Sequence, residues 1–211
     1  SDDGLGIGYT YFRLRGTDHT RINMTVNDVP LNDSESQTVF WVNMTDMASS
    51  MYQIDVQRGV GTSTNGGASF GGSLNMKTID GGKNGIEADR STVELAFNGG
   101  MYNTFREMIN THIVLPDNRW KANARFSKVN SDGFLYRTGS NLYSYYGDMG
   151  WYGDKTQVIA RLFGGSEKTG MGWDGVDYNT AYGLNGADRR YNPAGEYTIM
   201  DSQGNDSTAY Y

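Results

Sequence analysis

The run Gln57-Arg58-Gly59-Val60-Gly61-Thr62-Ser63-Thr64-Asn65-Gly66-Gly67-Ala68-Ser69-Phe70-Gly71-Gly72-Ser73-Leu74-Asn75-Met76-Lys77-Thr78 decides how the rest of the sequence is read. Its six glycines argue against a helix, because each costs about 1 kcal/mol in a helix interior. Tyr52–Gln57 ahead of it alternates in polarity, and Gly72–Lys77 alternates again at its end, the period of two that marks strands. The spacing predicts strand, glycine-rich turn, strand, with the backbone passing close to a neighbour along the turn. A phosphate-cradling loop would open a helix or end in Lys followed by Ser or Thr. Here a strand follows, and Lys77 lies beyond the loop. A tight structural turn is the competing reading.

Asp55-Val56-Gln57-Arg58-Gly59, then Gly61-Thr62-Ser63, then Phe70-Gly71-Gly72-Ser73-Leu74-Asn75-Met76-Lys77-Thr78 resembles the end of the plug domain of TonB-dependent outer-membrane receptors, Bacteroidetes-like in kind. In that family a strand ending in Arg-Gly enters a Ser-containing turn and then Gly-Gly-hydrophobic-Asn-hydrophobic. Upstream, Leu14-Arg15-Gly16 is similar to the family's hydrophobic-Arg-Gly. Val26-Asn27-Asp28-Val29-Pro30-Leu31 is similar to its Val-Asp-Gly-Val-Pro-Leu turn. Two departures, Asn27-Asp28 for Asp-Gly and Val60 for a frequent Pro, conserve turn geometry.

The chain has 211 residues, 37% hydrophobic, with 29 glycines and many aromatics. No run approaches the ~20 apolar residues of a transmembrane helix, which leaves barrel strands open because those alternate. A formal charge of −6 speaks against nucleic acid as a partner. There is no cysteine for a disulfide or thiolate metal site, and His19 and His112 are too far apart to mark a metal cluster. No cofactor is expected. A plugged barrel has about 22 strands of roughly 10 residues each, whereas 133 residues follow Thr78. The expectation is a piece of a longer protein.

Along the chain, residues 1–80 read as the C-terminal part of the plug, with short strands at Tyr11–Arg15, Ile22–Val26 and Tyr52–Gln57 and a helical turn at Asn43–Ser50 capped by Thr45. Residues 81–90, with Gly81-Gly82-Lys83-Asn84-Gly85, read as a linker. Residues 91–166 carry about five longer alternating strands: Ser91–Gly100, Thr104–Leu115, Arg119–Val129, Asn141–Tyr152 and Thr156–Gly164. Residues 167–211 read as an outside loop with a hairpin around Tyr197–Gly204, where Asp201, Asn205 and Asp206 suit a turn better than a calcium loop. Alternation fits either a soluble sheet with one wet face or a membrane barrel wall. Strand length favours the wall, as does the girdle of Trp120, Tyr143, Tyr145 and Trp151 at strand ends. The short connections Leu115–Arg119 and Gly153–Lys155 flank the longer Ser131–Ser140, the periplasmic-turn, outside-loop pattern, whereas the connection near Gly99–Asn103 is short for it. The fold class expected is mostly β: a small α+β plug followed by the N-terminal antiparallel strands of a large transmembrane β-barrel, incomplete in this chain.

No pair of carboxylates and no nucleophile–histidine offset supports catalysis, so an enzyme is not expected. The resemblance implies active import of a scarce solute (an iron chelate, cobalamin, glycan or peptide) across the bacterial outer membrane. It also implies a TonB-type energy-coupling protein and outer-membrane lipid as partners, with a surface lipoprotein as a further candidate. By position in the family's plug, Arg15 and the apex residues Asn32, Asp33, Glu35, Gln37, Phe40 and Trp41 are the expected ligand contacts. Arg15, Arg58, Arg119, Lys121 and Arg125 are the expected polar contacts between plug and inner wall, with ordinary solvated charge as the competing reading. The alternatives to a transporter are a secreted β-sandwich that stacks sugars on Tyr and Trp, and a passive porin, which would leave the first 80 residues unexplained.

Overall fold

A computed structural model describes residues 11–41, 44–60, 70–78, 90–170, 172, 174–201 and 203–210. The first sheet is built from β1 (Ile22–Val26), β2 (Val29–Pro30), β3 (Met51–Arg58) and β4 (Gly72–Thr78), in the order β2-β1-β4-β3. Asn27 and Asp28, both at positive φ, make the two-residue turn between β1 and β2. Strand β1 runs parallel to β4, Ile22 opposite Gly72, and β3 is antiparallel to β4, Arg58 opposite Gly72. The strand–turn–strand reading of the glycine-rich stretch therefore holds at both ends, while residues 61–69 and all but the last residue of the expected linker at 81–90 lie outside the described residues. Gly72 sits at φ 142, and a Cβ there would press on the Gln57 carbonyl, so glycine is required where the strands converge.

Buried Leu14, Ile22, Met24, Val26, Val39, Met47, Leu74 and Met76 form one small core, with Phe12, Trp41, Met44 and Met51 packed on it. Two local expectations need correction. Tyr11–Arg15 is not a strand: it holds a single bridge, Leu14 to Thr17, around Arg15 at φ 50 and Gly16 at φ 78. The helical turn is a 3-10 turn, Met47–Ser50, that Thr45 does not cap. Asp46 precedes it in the left-handed region.

The second sheet is an antiparallel meander of β5 (Thr92–Gly99), β6 (Phe105–Val114), β7 (Trp120–Ser131), β8 (Ser140–Tyr152) and β9 (Gln157–Thr169). Its connections are 115–119 and 153–156 at one end, and 100–104 and 132–139 at the other. The register puts Leu95, Ile109, Phe126, Tyr145 and Gly164 in one row across all five strands. The Tyr145 ring lies over Gly164, where a Cβ would collide with it, so an aromatic covers the gap a glycine leaves in the sheet.

The two faces are inverted relative to a soluble protein. The side carrying Val93 (67% exposed), Phe126 (48%) and Trp120 (39%) is open, whereas Lys121, Asn123, Arg125, Ser127, Ser144 and Asp148 on the other side are buried. A water-soluble sandwich needs the reverse, so the sugar-binding alternative is excluded by the sheet's own polarity. An open apolar face backed by a covered polar face is the pattern of membrane-barrel strands, whose polar side lines the lumen. No helix among the described residues is long and apolar enough to cross a membrane.

Candidate functional site

The 3-10 turn at Met47–Ser50 brings the plug to the wall. Met47 points into the plug core, which leaves Asp46, Ser49 and Ser50 directed at the lumen face of β6–β8. Thr45 seats against Gly165 of β9, where a Cβ would meet its side chain at 3.3 Å and the Tyr143 carbonyl at 2.5 Å. A larger residue at 165 would hold the plug off the wall.

Arg125 is 3% exposed and is the centre of the site. Its Nε donates to Ser50 Oγ (2.6 Å) and its Nη1 to Asp46 Oδ2 (3.2 Å), both in the plug. Within the wall Nη1 also donates to Ser127 Oγ (3.0 Å) and Nη2 to Ser144 Oγ (2.7 Å). Arg106, on β6, reaches the same carboxylate oxygen through Nε (3.3 Å) and Nη2 (3.2 Å), and its Nη2 also donates to Ser49 Oγ (2.6 Å). Ser127 Oγ donates to Asp46 Oδ2 at 2.5 Å. One plug carboxylate thus holds two guanidinium groups and a hydroxyl of the wall, and its charge compensates a buried cation that would otherwise be costly.

A second tie is a chain of mostly neutral groups ending on a carboxylate. Asn27 Nδ2 donates to Thr78 Oγ1 (2.8 Å), and Tyr146 Oη lies 2.9 Å from both Thr78 Oγ1 and Asp148 Oδ2. Asn123 Nδ2 bridges Asp148 (2.9 Å), and its Oδ1 lies 2.6 Å from His112 Nδ1. The last residue of β4 is thereby fixed to the middle of β8. Beside these ties an apolar cavity of about 560 Å³ lies between plug and wall, lined by Phe12, Trp41, Met44, Met51, Val129 and Leu142 among others.

Of the five cations expected at the plug–wall contact, Arg125 bonds across it. Lys121 is buried on the lumen face with its ammonium 5.8 Å from the Tyr152 ring of the wall itself. Arg15, Arg58 and Arg119 are exposed, on a plug turn, at the end of β3 and in the β6–β7 turn, and none bonds across the interface among the described residues. Arg106, Asp46, Ser49 and Ser50 were missed. Arg106 was legible from parity, since it lies between the outward Phe105 and Glu107. Asp46 was not, because its αL backbone depends on the packing around it.

The expected apex group is not a convergent cluster. Asn32 uses its amide on the plug: Oδ1 accepts from Met24 N–H (2.7 Å), and Nδ2 donates to the Ile22 (2.9 Å) and Gln37 (2.9 Å) carbonyls. Asp33 accepts from the Ser36 and Glu35 amides, which holds its carboxyl below the usual range. Gln37, at φ 56, donates to the Ser34 carbonyl (3.1 Å). Glu35 and Phe40 are exposed, while Trp41 turns inward to the plug–wall cavity. Of the girdle, Trp120 lies opposite Trp151 at the end with the short turns, and Tyr143 and Tyr145 stand nearer the other end. Roughly eight residues of tilted strand, about 20 Å of height, separate Trp120 from the rim pair Glu107–Lys128.

The far-end loops form their own cluster. Arg190 donates to the Phe134 carbonyl (2.8 Å) and its guanidinium stands 4.7 Å from the Tyr136 ring and 5.1 Å from that of Tyr102. Arg137 stacks on Tyr210 at 3.6 Å and bonds the Asn192 carbonyl. Tyr210 belongs to β11 (Asp206–Tyr210), which pairs with β10 (Glu196–Met200) as a hairpin. Asp201 closes its turn by accepting from the Asn205 and Gln203 amides, so the residues weighed for calcium make a turn. No group of three or more metal-binding side chains occurs among the described residues.

Residues 2–73 match the family model of the TonB-dependent Receptor Plug Domain. The family match covers the plug residues and stops before the five-stranded wall. With the strand wall, this match points to the bacterial outer membrane, and a porin, which has no plug, does not account for residues 2–73. Among solved structures the chain is similar to the pyoverdine outer membrane receptor FpvA from Pseudomonas aeruginosa PAO1 bound to pyoverdine, with 15% identity and a TM-score of 0.68 over 94% of this chain. It is also similar to the copper transporter OprC (13%, TM-score 0.63, 80% of this chain). The siderophore receptor PirA from Acinetobacter baumannii follows (14%, TM-score 0.52, 74% of this chain). The chain spans only 31%, 28% and 25% of the length of these three proteins. No curated protein sequence matches it. These named matches lend no support to the Bacteroidetes-like part of the expectation.

Proposed function

We propose that this chain is part of a TonB-dependent receptor that imports a scarce solute across the outer membrane, with a TonB-type energy-coupling protein acting on the plug from the periplasm. The observation that carries the reading is the Asp46 tie, a charged, water-compatible contact that holds the plug against the polar face of the wall. Of the solutes the resemblance allows, a metal chelate is favoured, since the names of the three similar structures are a pyoverdine receptor, a copper transporter and a siderophore receptor. Contacts to the solute fall to the far-end loops, at the end opposite the short turns, where Tyr102, Tyr136 and Tyr210 are gathered around Arg137 and Arg190. A surface lipoprotein would meet the same end, and copurification with the full-length receptor tests for it.

The functional test is uptake of labelled iron chelates, copper, cobalamin, oligosaccharide and peptide by cells that depend on the full-length receptor, with and without an uncoupler of the proton-motive force. Energy-dependent uptake of a chelate is expected. Uptake that is indifferent to the uncoupler would mean a passive pore and would refute the proposal.

A further inference from the structure

On the lipid-facing side of β7–β9, at the end with the short turns, Trp120, Met149, Trp151, Val158 and Ala160 enclose a cleft of about 400 Å³. Register explains its shape. Trp120 faces Trp151, Trp151 faces Val158, and Met149 faces Ala160, so two indoles and a thioether wall a floor made low by Ala160. Trp151 is held at the rim by Gly153, where a Cβ would come within 2.5 Å of the indole. All the lining residues lie on three consecutive paired strands, so further wall strands would leave the cleft intact.

We propose that this cleft binds one acyl chain of a phospholipid of the periplasm-facing leaflet, with the lipid phosphate held by Arg119 and Lys155. The inference rests on the outer-membrane reading above. Three observations fix the occupant. The cleft opens on the same face as the exposed apolar residues Leu95, Ile109 and Phe126, which share one row across the sheet. Its tryptophans mark the headgroup level, where their amphipathic rings settle. Arg119 and Lys155, both exposed, stand in the two turns directly beyond them. Of the two acids in those turns, Asp117 accepts from the backbone amides of Arg119 (3.0 Å) and Trp120 (3.4 Å), and Asp154 is exposed. Moving a chain from bilayer to cleft gains no hydrophobic free energy, because both are hydrocarbon. Retention therefore depends on fit and on the phosphate contact.

The test uses the full-length receptor in detergent, titrated with phosphatidylethanolamine brominated on one acyl chain. Tryptophan quenching is expected to saturate at low lipid mole fraction, and Trp151→Phe is expected to remove most of the saturable part. Filling the floor with Ala160→Phe should weaken retention about tenfold, the low end for a steric change in an apolar pocket. Arg119→Gln with Lys155→Gln, which leaves the cleft untouched, should weaken it by about as much, as expected for two basic residues at a lipid surface. Quenching that rises linearly with mole fraction, or equal retention in the charge variant and the parent, overturns the site while the outer-membrane reading stands. Dimer formation through the cleft would also overturn it. Loss of heat-modifiable electrophoretic mobility in the unmodified receptor would instead overturn the barrel reading itself.

Discussion

Replacing Asp46 with Ala should loosen the plug without unfolding the wall. The carboxylate accepts from Arg106, Arg125 and Ser127. Removing one partner of a buried ion pair costs roughly 3–5 kcal/mol. Here Arg106 is partly exposed and Arg125 keeps Ser50, Ser127 and Ser144, which lowers the expectation to about 2–4 kcal/mol, against roughly 1.5–3 kcal/mol for a single charged hydrogen bond. At 1.36 kcal/mol per factor of ten, amide hydrogens of β3 and of the Met47–Ser50 turn should exchange on the order of 30- to 900-fold faster in the full-length receptor, while those of β7 and β8 change little. Hydrogen-exchange mass spectrometry reads both sets at once. A change below about threefold in the plug amides would show that the ion cluster contributes nothing to docking, as many ion pairs do not.

Arg125→Lys should loosen the plug nearly as much as Arg125→Ala, because an ammonium cannot reach Ser50, Asp46 and Ser144 with one planar fork; an exchange profile equal to the parent's would contradict this. Phe126→Arg, on the apolar face, should cost about 2–4 kcal/mol if the position lies near the bilayer midplane, read as lost heat-modifiable mobility or a lower urea midpoint in vesicles. Gly72→Ala should destabilise the plug by on the order of 1–3 kcal/mol through forced backbone strain, measured as earlier thermal loss of solute binding. Asp188 is held below the usual carboxylate range by the Arg190 backbone amide first and by the Tyr136 hydroxyl next. A lowered folded pKa contributes stability above the unfolded value near 3.9 and loses it as pH falls through the folded one. Proteolysis of the 132–139 and 172–195 loops should therefore accelerate below about pH 4, and Asp188→Asn should abolish that acid dependence.

Period and turn chemistry were enough to specify the strands of the wall and which of their residues share a face. Val93, Leu95 and Phe97 had to share a face because strand side chains alternate, and Asn27-Asp28 had to turn because their backbone tolerates positive φ. Which face was wet could not be read from alternation alone, since a soluble sheet and a barrel wall show the same pattern. Packing settled it: Arg125 became buried only because the plug lies against it, and Phe126 stayed open because nothing does. The choice of Arg125 and Arg106 over Arg15, Arg58 and Arg119 was likewise tertiary. It depends on Asp46 arriving from about 60 to 80 residues upstream, in a backbone conformation that local propensity does not favour.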